Sequence, residues 1–239
     1  MLRPFWLALM FLTRLPVPAQ APAEPEDVGR SVPLFPLVGL VVGALLALLA
    51  WAAAETEPLL RGALLVAAWV VMTGGLHLDG LADTADAWVG GQGDAERTLA
   101  IMKDPYAGPA GVAAVVLVLL IKAAALTAVD WTALLVVPVL ARAGLVVLFL
   151  TTPYVRPQGL GEAMSAHLPG QAAAWSAGLA ALAALLLLGW AGAGVLLVLA
   201  GLGYLYRHAL LTRIGGTTGD TAGAAVELAE AAALVYLVW

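Results

Sequence analysis

The sequence predicts an all-α, polytopic integral membrane protein, a bundle of about seven transmembrane helices with a short interfacial helix at its N-terminus. Three observations carry this. Of 239 residues, 62% are hydrophobic and only 11% charged, against roughly 25% charged in ordinary soluble domains. Long stretches of the chain hold no charge at all, and six of the 16 acids gather in two short motifs. Eleven basic and 16 acidic residues cannot cover the surface of a soluble globule, whereas lipid is an apolar solvent that requires no such cover. The absence of cysteine excludes thiolate zinc sites, iron-sulfur clusters, disulfides and c-type haem attachment. A net charge of -5 excludes a nucleic-acid binder built on a broad basic surface. The length predicts one membrane-embedded domain over residues 1–239, with an interfacial helix and connector at 1–33.

Each element follows from where charge is missing. The opening MLRPFWLALMFLTRL is too short to span a core of about 30 Å at about 1.5 Å per residue, so it is expected to lie in the interface. Its basic start, apolar run and PAQA also sketch a cleavable signal peptide, but Arg14 interrupts the run. Pro16 to Pro33 contains five prolines and an acidic cluster and is expected to be an extended cytoplasmic connector. No Asp, Glu, Lys or Arg occurs from Ser31 to Ala54, from Gly62 to Leu78, from Pro105 to Ile121, or through the 44 residues from Ala163 to Tyr206. These gaps, with the apolar stretches around Arg142 and at the C-terminus, place spans near 34–53, 60–77, 108–129, 131–151, 173–189, 191–206 and 221–239.

Orientation follows from the cations, because Lys and Arg concentrate in cytoplasmic loops. With the N-terminus inside, the inner segments hold eight cations, from Arg3 to Arg213, and the outer loops hold only Arg61. Trp51, Trp131, Trp190 and Trp239 then all fall at the outer interface, the level indole rings prefer. The expected setting is the bacterial cytoplasmic (inner) membrane, with the acidic motifs on its cytoplasmic side.

In HLDGLADTAD, Asp79, Asp83 and Asp86 recur at i, i+4 and i+7, which on a helix puts three carboxylates in one narrow stripe. Packed together they repel unless protons or a hard divalent cation neutralise them. In GGTTGDTAGAAVELAE, three glycines allow close backbone approach, Thr217, Thr218 and Thr221 supply hydroxyls, and Asp220 stands near the start of the last helix with Glu227 on the same face. Glu230 is rotated about 80° away. Acids inside a span are costly and usually functional.

Between these motifs, RTLAIMKDPYAGPAG carries Arg97, Lys103 and Asp104. Cations beside a carboxylate-bound metal suit a phosphate or pyrophosphate ligand, although positive-inside placement explains them equally well. Arg142 falls mid-span, where it must face the bundle interior and find an acid or an anionic ligand. Lys122 is expected to snorkel outward toward Asp130. His77 precedes Asp79 by two residues, about 200° round a continuous helix; it joins the site in a proton-transfer role only if the helix starts after it.

These stretches, together with FLTRLPVP near the start, resemble the cobalamin synthase (adenosylcobinamide-GDP ribazoletransferase) family in the expected order along nearly the whole chain. The pairing of HLDGLADTAD with GGTTGD is the specific part. The chain departs from the usual family pattern in PYAGPAG after Asp104 and in Ala87 after the aspartate cluster. The resemblance implies transfer of the adenosylcobinamide-phosphate moiety from adenosylcobinamide-GDP to alpha-ribazole or its 5'-phosphate, with release of GMP and with Mg2+ as cofactor. It implies metal or catalytic roles for Asp79, Asp83, Asp86 and Asp220, with Glu227 next; His77, from its place beside the cluster, is a further catalytic candidate. Arg97, Lys103, Asp104, Arg142, Thr217 and Thr218 are the candidate substrate contacts. The expected partners are these substrates and the lipid bilayer, with no nucleic acid; a homo-oligomer is left open. A cation- or proton-coupled transporter is the competing class and predicts acids spread through membrane depth, while a structural subunit predicts span acids that are paired and dispensable.

Overall fold

A computed structural model describes residues 3–18, 21–157 and 160–239. The chain forms α1 (Arg3–Leu12), α2 (Pro25–Ser31), a 3-10 turn (Val32–Leu34), α3 (Phe35–Ala52), α4 (Pro58–Thr73), α5 (Leu76–Gly90) and α6 (Ala95–Ile101). It continues through α7 (Pro109–Ala125), α8 (Trp131–Thr151), α9 (Leu160–Ala166), α10 (Gly170–Leu188), α11 (Trp190–Ile214) and α12 (Gly219–Val238). Every gap predicted to span holds a helix. Five stretches are long and apolar enough to cross a membrane alone: 25–52, which runs α2 into α3, and α8, α10, α11 and α12. Helices α4 and α7 are shorter apolar helices of 16 and 17 residues.

The expected extended connector is overturned in its second half, where α2 and the 3-10 turn lead directly into α3. Pro25 and Pro33 sit in the first positions of these elements, where a missing N–H costs nothing and the fixed φ suits a helix. The prolines therefore start structure there. The expected span at 60–77 is also cut short. Gly74 and Gly75 adopt φ of 64° and 71°, a left-handed conformation that ends α4, and α5 leaves at 91° to it.

Contacts between helix ends define two poles. At one, Arg61 Nη2 donates to the carbonyl of Thr127 at 3.2 Å; Trp51, Trp131, Trp190 and Trp239 stand exposed at ends of α3, α8, α11 and α12. At the other, Arg14 N donates to Met72 O at 2.7 Å, Arg207 donates to Thr151 O, and Tyr154 pairs with Thr217 in a parallel bridge. Both acidic motifs begin at this second pole.

Midway between the poles lies a buried charge network. Lys122 of α7 donates to Glu227 at 3.0 Å and to Glu230 of α12, and Arg142 of α8 pairs with Glu230. The Lys122 ammonium also sits 4.2 Å from the centre of the Trp69 ring of α4. Lys122 thus points inward, not toward Asp130, which instead caps α8 by accepting from Ala133 N at 3.0 Å. Two cations and two acids neutralise one another where neither water nor lipid can, and four helices converge on the pairings. Removing one partner leaves buried charge uncompensated. Glu230→Gln is therefore expected to lower stability by about 3 kcal/mol or more, measured by denaturation in detergent micelles, while exposed Glu55→Gln leaves the curve in place.

Candidate active site

The site begins where α5 crosses α12. A Cβ on Gly80 would lie 2.6 Å from the carbonyl oxygen of Asp220, so only glycine lets the two backbones approach this closely. On the outer side of α5, Asp79 is exposed and Asp83 and Asp86 are half-buried. The opposite side carries His77, Leu81 and Trp88; Leu81 packs into a small core with Val118, Ala224 and Ala231. The i, i+4, i+7 spacing and the 91° bend thus present a carboxylate stripe on one side of α5 and an apolar stripe on the other.

Asp220 enters from the first turn of α12. The N-cap is Thr218, whose hydroxyl accepts from Thr221 N at 3.2 Å while its own N–H donates to Thr221 Oγ1 at 2.8 Å, a reciprocal box. Just upstream, Thr217 N donates to Pro153 O at 2.8 Å and Val155 N donates to Thr217 O at 2.9 Å. That two-bond bridge ties the segment after α8 to the start of α12. It sets Arg156 against Asp220, with Nη2 2.6 Å from Oδ2.

The charges at this crossing do not balance. Burial first, then the charges of Asp79 and Asp220, push the Asp83 carboxyl up to about 6, while Arg156 pulls the other way. Asp86 is held differently: its carboxylate accepts from Gly108 N at 2.7 Å and Gly111 N at 2.9 Å. Both N–H groups belong to the start of α7, where a negative charge meets unpaired donors and the positive helix end.

Several sequence expectations change here. His77 lies within α5, so the condition for its joining the carboxylates fails; it is buried beneath them. Glu227 does not reach the cluster, because it is bound to Lys122. Arg142 does face the interior and finds an acid, Glu230, but it is wholly buried there and cannot meet a phosphate at the crossing. Thr217 and Thr218 are buried and committed to the bridge and the cap. Arg97 and Lys103 are exposed; Arg97 lies on α6 beside a shallow depression shared with Asp94 and Glu96. Asp104 is exposed and accepts from Tyr106 N at 3.0 Å. Among the described residues no three acidic or histidine side chains converge tightly enough to cage a metal alone.

Two cations important to the geometry gave little signal in the sequence. Arg156 looked like one more positive-inside residue, and only folding sets it against Asp220. Arg213 donates to Thr98 Oγ1 at 3.0 Å and Trp88 O at 2.9 Å, fastening the end of α11 to α5 and α6.

The model of the family described as cobalamin-5-phosphate synthase matches residues 4–238. The chain belongs to that family. It is 54% identical over 235 residues to a protein of Pseudomonas paraeruginosa, covering 97% of this chain and 96% of that one. It is 52% identical over 240 residues to one of Pseudomonas aeruginosa (99% and 98% covered) and 51% identical over 236 residues to one of Pseudomonas fluorescens (97% of each). All three relatives are named adenosylcobinamide-GDP ribazoletransferase. No solved structure matches the chain. The motifs that carry the family resemblance, HLDGLADTAD and GGTTGD, are the two that meet at Gly80.

That meeting is sensitive to a single methyl group. Gly80→Ala is expected to force α5 away from α12, lowering stability by roughly 1 to 3 kcal/mol and separating Asp83 from Asp220. A thermal melt of the purified variant together with its turnover checks both effects.

Proposed function

We propose that this chain is a magnesium-dependent adenosylcobinamide-GDP ribazoletransferase of the bacterial cytoplasmic membrane, with its active site facing the cytoplasm. The family and the names of its relatives support the transferase reading. The observation that carries the site is the α5–α12 crossing, where Asp79, Asp83 and Asp220 share a region with one paired cation and excess negative charge. In this reaction a ribose hydroxyl of alpha-ribazole, or of its 5'-phosphate, attacks the phosphorus bonded to the adenosylcobinamide moiety. The bond from that phosphorus to the GMP oxygen breaks, and GMP departs.

The donor set fits magnesium. All the groups are hard carboxylate oxygens, and magnesium is ordinarily held by one or two carboxylates together with substrate phosphates and water. A cage of three converged acids is not required. Two of the carboxylates of Asp79, Asp83 and Asp220 would hold the ion together with substrate oxygens, and the ion when bound would neutralise charge building on the pyrophosphate. Asp86 anchors the start of α7 and so keeps the α5 stripe in register. A carboxylate oxygen left unengaged by metal is the group that takes the proton of the attacking hydroxyl. Exposed Arg97 and Lys103 would guide the anionic donor toward the site from the water side. The transporter reading predicts acids dispersed through the bilayer, but the two deep acids, Glu227 and Glu230, are both occupied in ion pairs.

Purified protein in detergent, given adenosylcobinamide-GDP, alpha-ribazole and Mg2+, is expected to release GMP, and to release none when either the acceptor or Mg2+ is withheld. Folded wild type without turnover would reject the enzyme reading. Asp83→Asn is expected to cut turnover by about 100-fold or more. The same substitution is expected to raise the melting temperature of the metal-free protein by a few degrees, since it removes one of several repelling charges. Added Mg2+ should then stabilise wild type more than the variant, because only a ligand that binds the native site shifts the melt.

A further inference from the structure

We propose that Arg156 is the phosphate-receiving group of this site, parked on Asp220 in the resting protein and transferred to a phosphate oxygen of the donor's pyrophosphate when that substrate enters. The inference rests on the reading that the crossing handles a pyrophosphate.

Four observations point to Arg156. Among the described residues its contact with Asp220 is the one ion pair that reaches the carboxylates of the crossing. Its position is fixed on a short tether: the Thr217 bridge holds Pro153 and Val155 immediately before it. Gly216 lies against Pro153 so closely that a Cβ there would collide with the Pro153 carbonyl, so the strap has no slack. The pair is nevertheless reachable from solvent, with side-chain exposures of 24% for Arg156 and 17% for Asp220.

The fourth observation is that the pairing is incomplete. Nη2 and Oδ2 approach to 2.6 Å without the alignment of a hydrogen bond, and Oδ2 has no other partner among the described residues. The second contact of Nη2, to Met102 O, is long at 3.4 Å. The buried Nε has no acceptor among the described residues. A guanidinium offers five donors in a rigid planar fork suited to two oxygens at once. Here one charged contact and one weak one leave most of that fork unused, and a phosphate supplies the paired acceptors that Asp220 does not.

The cations that the sequence offered as phosphate partners, and Lys122, are unsuited to the task. Lys122 and Arg142 are fully buried and bound to Glu227 and Glu230, and among the described residues exposed Arg97 and Lys103 make no ion pair with a carboxylate of the crossing. Exchange also conserves charge. A metal ion drawn to Asp220 competes with Arg156 for the same carboxylate, so the arrival of metal and pyrophosphate frees the arginine as its new partner appears.

The two halves of the pair must then respond in opposite directions. Binding of inorganic pyrophosphate is measured by titration calorimetry on the full-length protein in nanodiscs, with Mg2+ removed, alongside a thermal melt. Arg156→Gln is expected to weaken binding about tenfold or more, and Arg156→Lys less, because an ammonium keeps the charge without the fork. Asp220→Asn is expected to tighten metal-free binding about tenfold, since it releases Arg156 and removes a repelling charge. A purely structural ion pair would lower the melting temperature in both variants and leave pyrophosphate affinity unmoved, which overturns the proposal. Unchanged affinity in folded Arg156→Gln, or no gain in Asp220→Asn, does the same. If Arg156→Gln does not fold, Arg156→Lys and Asp220→Asn decide it. No acceptor and no turnover enter this measurement. Opposite shifts in a protein that releases no GMP therefore uphold the arginine's role and reject the transferase reading, while normal GMP release with unmoved affinities rejects only the role of Arg156.

Discussion

Buried charge in a bilayer has to be paired inside the protein, and that constraint organises this bundle. Lys122, Glu227, Glu230 and Arg142 come from α7, α12 and α8, with Trp69 of α4 against the ammonium. Each partner removed would strand another in surroundings that cannot solvate it. The network therefore sets the depth and rotation of α12 relative to α7 and α8. Asp220 is fixed along with it, just under three turns from Glu230 on the same helix. The geometry of the α5–α12 crossing at the pole is an extension of electrostatics settled in the middle of the bundle.

Charges in this chain consequently serve two separate purposes that look alike in composition. Those at mid-depth are matched, acid to base, and are closed off from solvent. Those at the crossing are mismatched: among the described residues Asp79 and Asp83 have no cation of their own, and Arg156 is shared between Asp220 and a weak carbonyl contact. A matched set holds structure, whereas an unmatched set within reach of water retains capacity for a ligand. The difference lies in the partners and not in residue type, so Glu227 and Asp220, seven residues apart on one helix, belong to different sets.

This is also where sequence reading stops. The spans were legible because absence of charge over a helical length has few explanations in a chain this apolar, and the acid stripe was legible because its period is local. Long-range pairing was not legible. Lys122 reads as snorkelling outward toward Asp130, since nothing near it in the chain names Glu230 as its partner. Glu227 followed Asp220 at a helical spacing that suggested a shared site, but the same seven residues carry it about 10 Å deeper, to Lys122. Arg156 had as its signal only a place in a short segment between Pro153 and Pro157. The connector before α3 was misread because proline marks both extended chain and the first turn of a helix, and only the packing of α2 against its neighbours decides between them.

The bend at Gly74 and Gly75 has a consequence for the order of assembly. It turns α5 away from the helix before it, so α5 finds its support in α12 and α7 and not in its predecessor. Helix α12 follows α1 to α11 in chain order, so during synthesis the apolar underside of α5 has only α7 to cover it until those helices have entered the bilayer. The α5–α12 crossing thus forms only after the helices that precede α12 are in place. A bundle whose α12 is missing or late would lack both the crossing with α5 and the acids that neutralise Lys122 and Arg142.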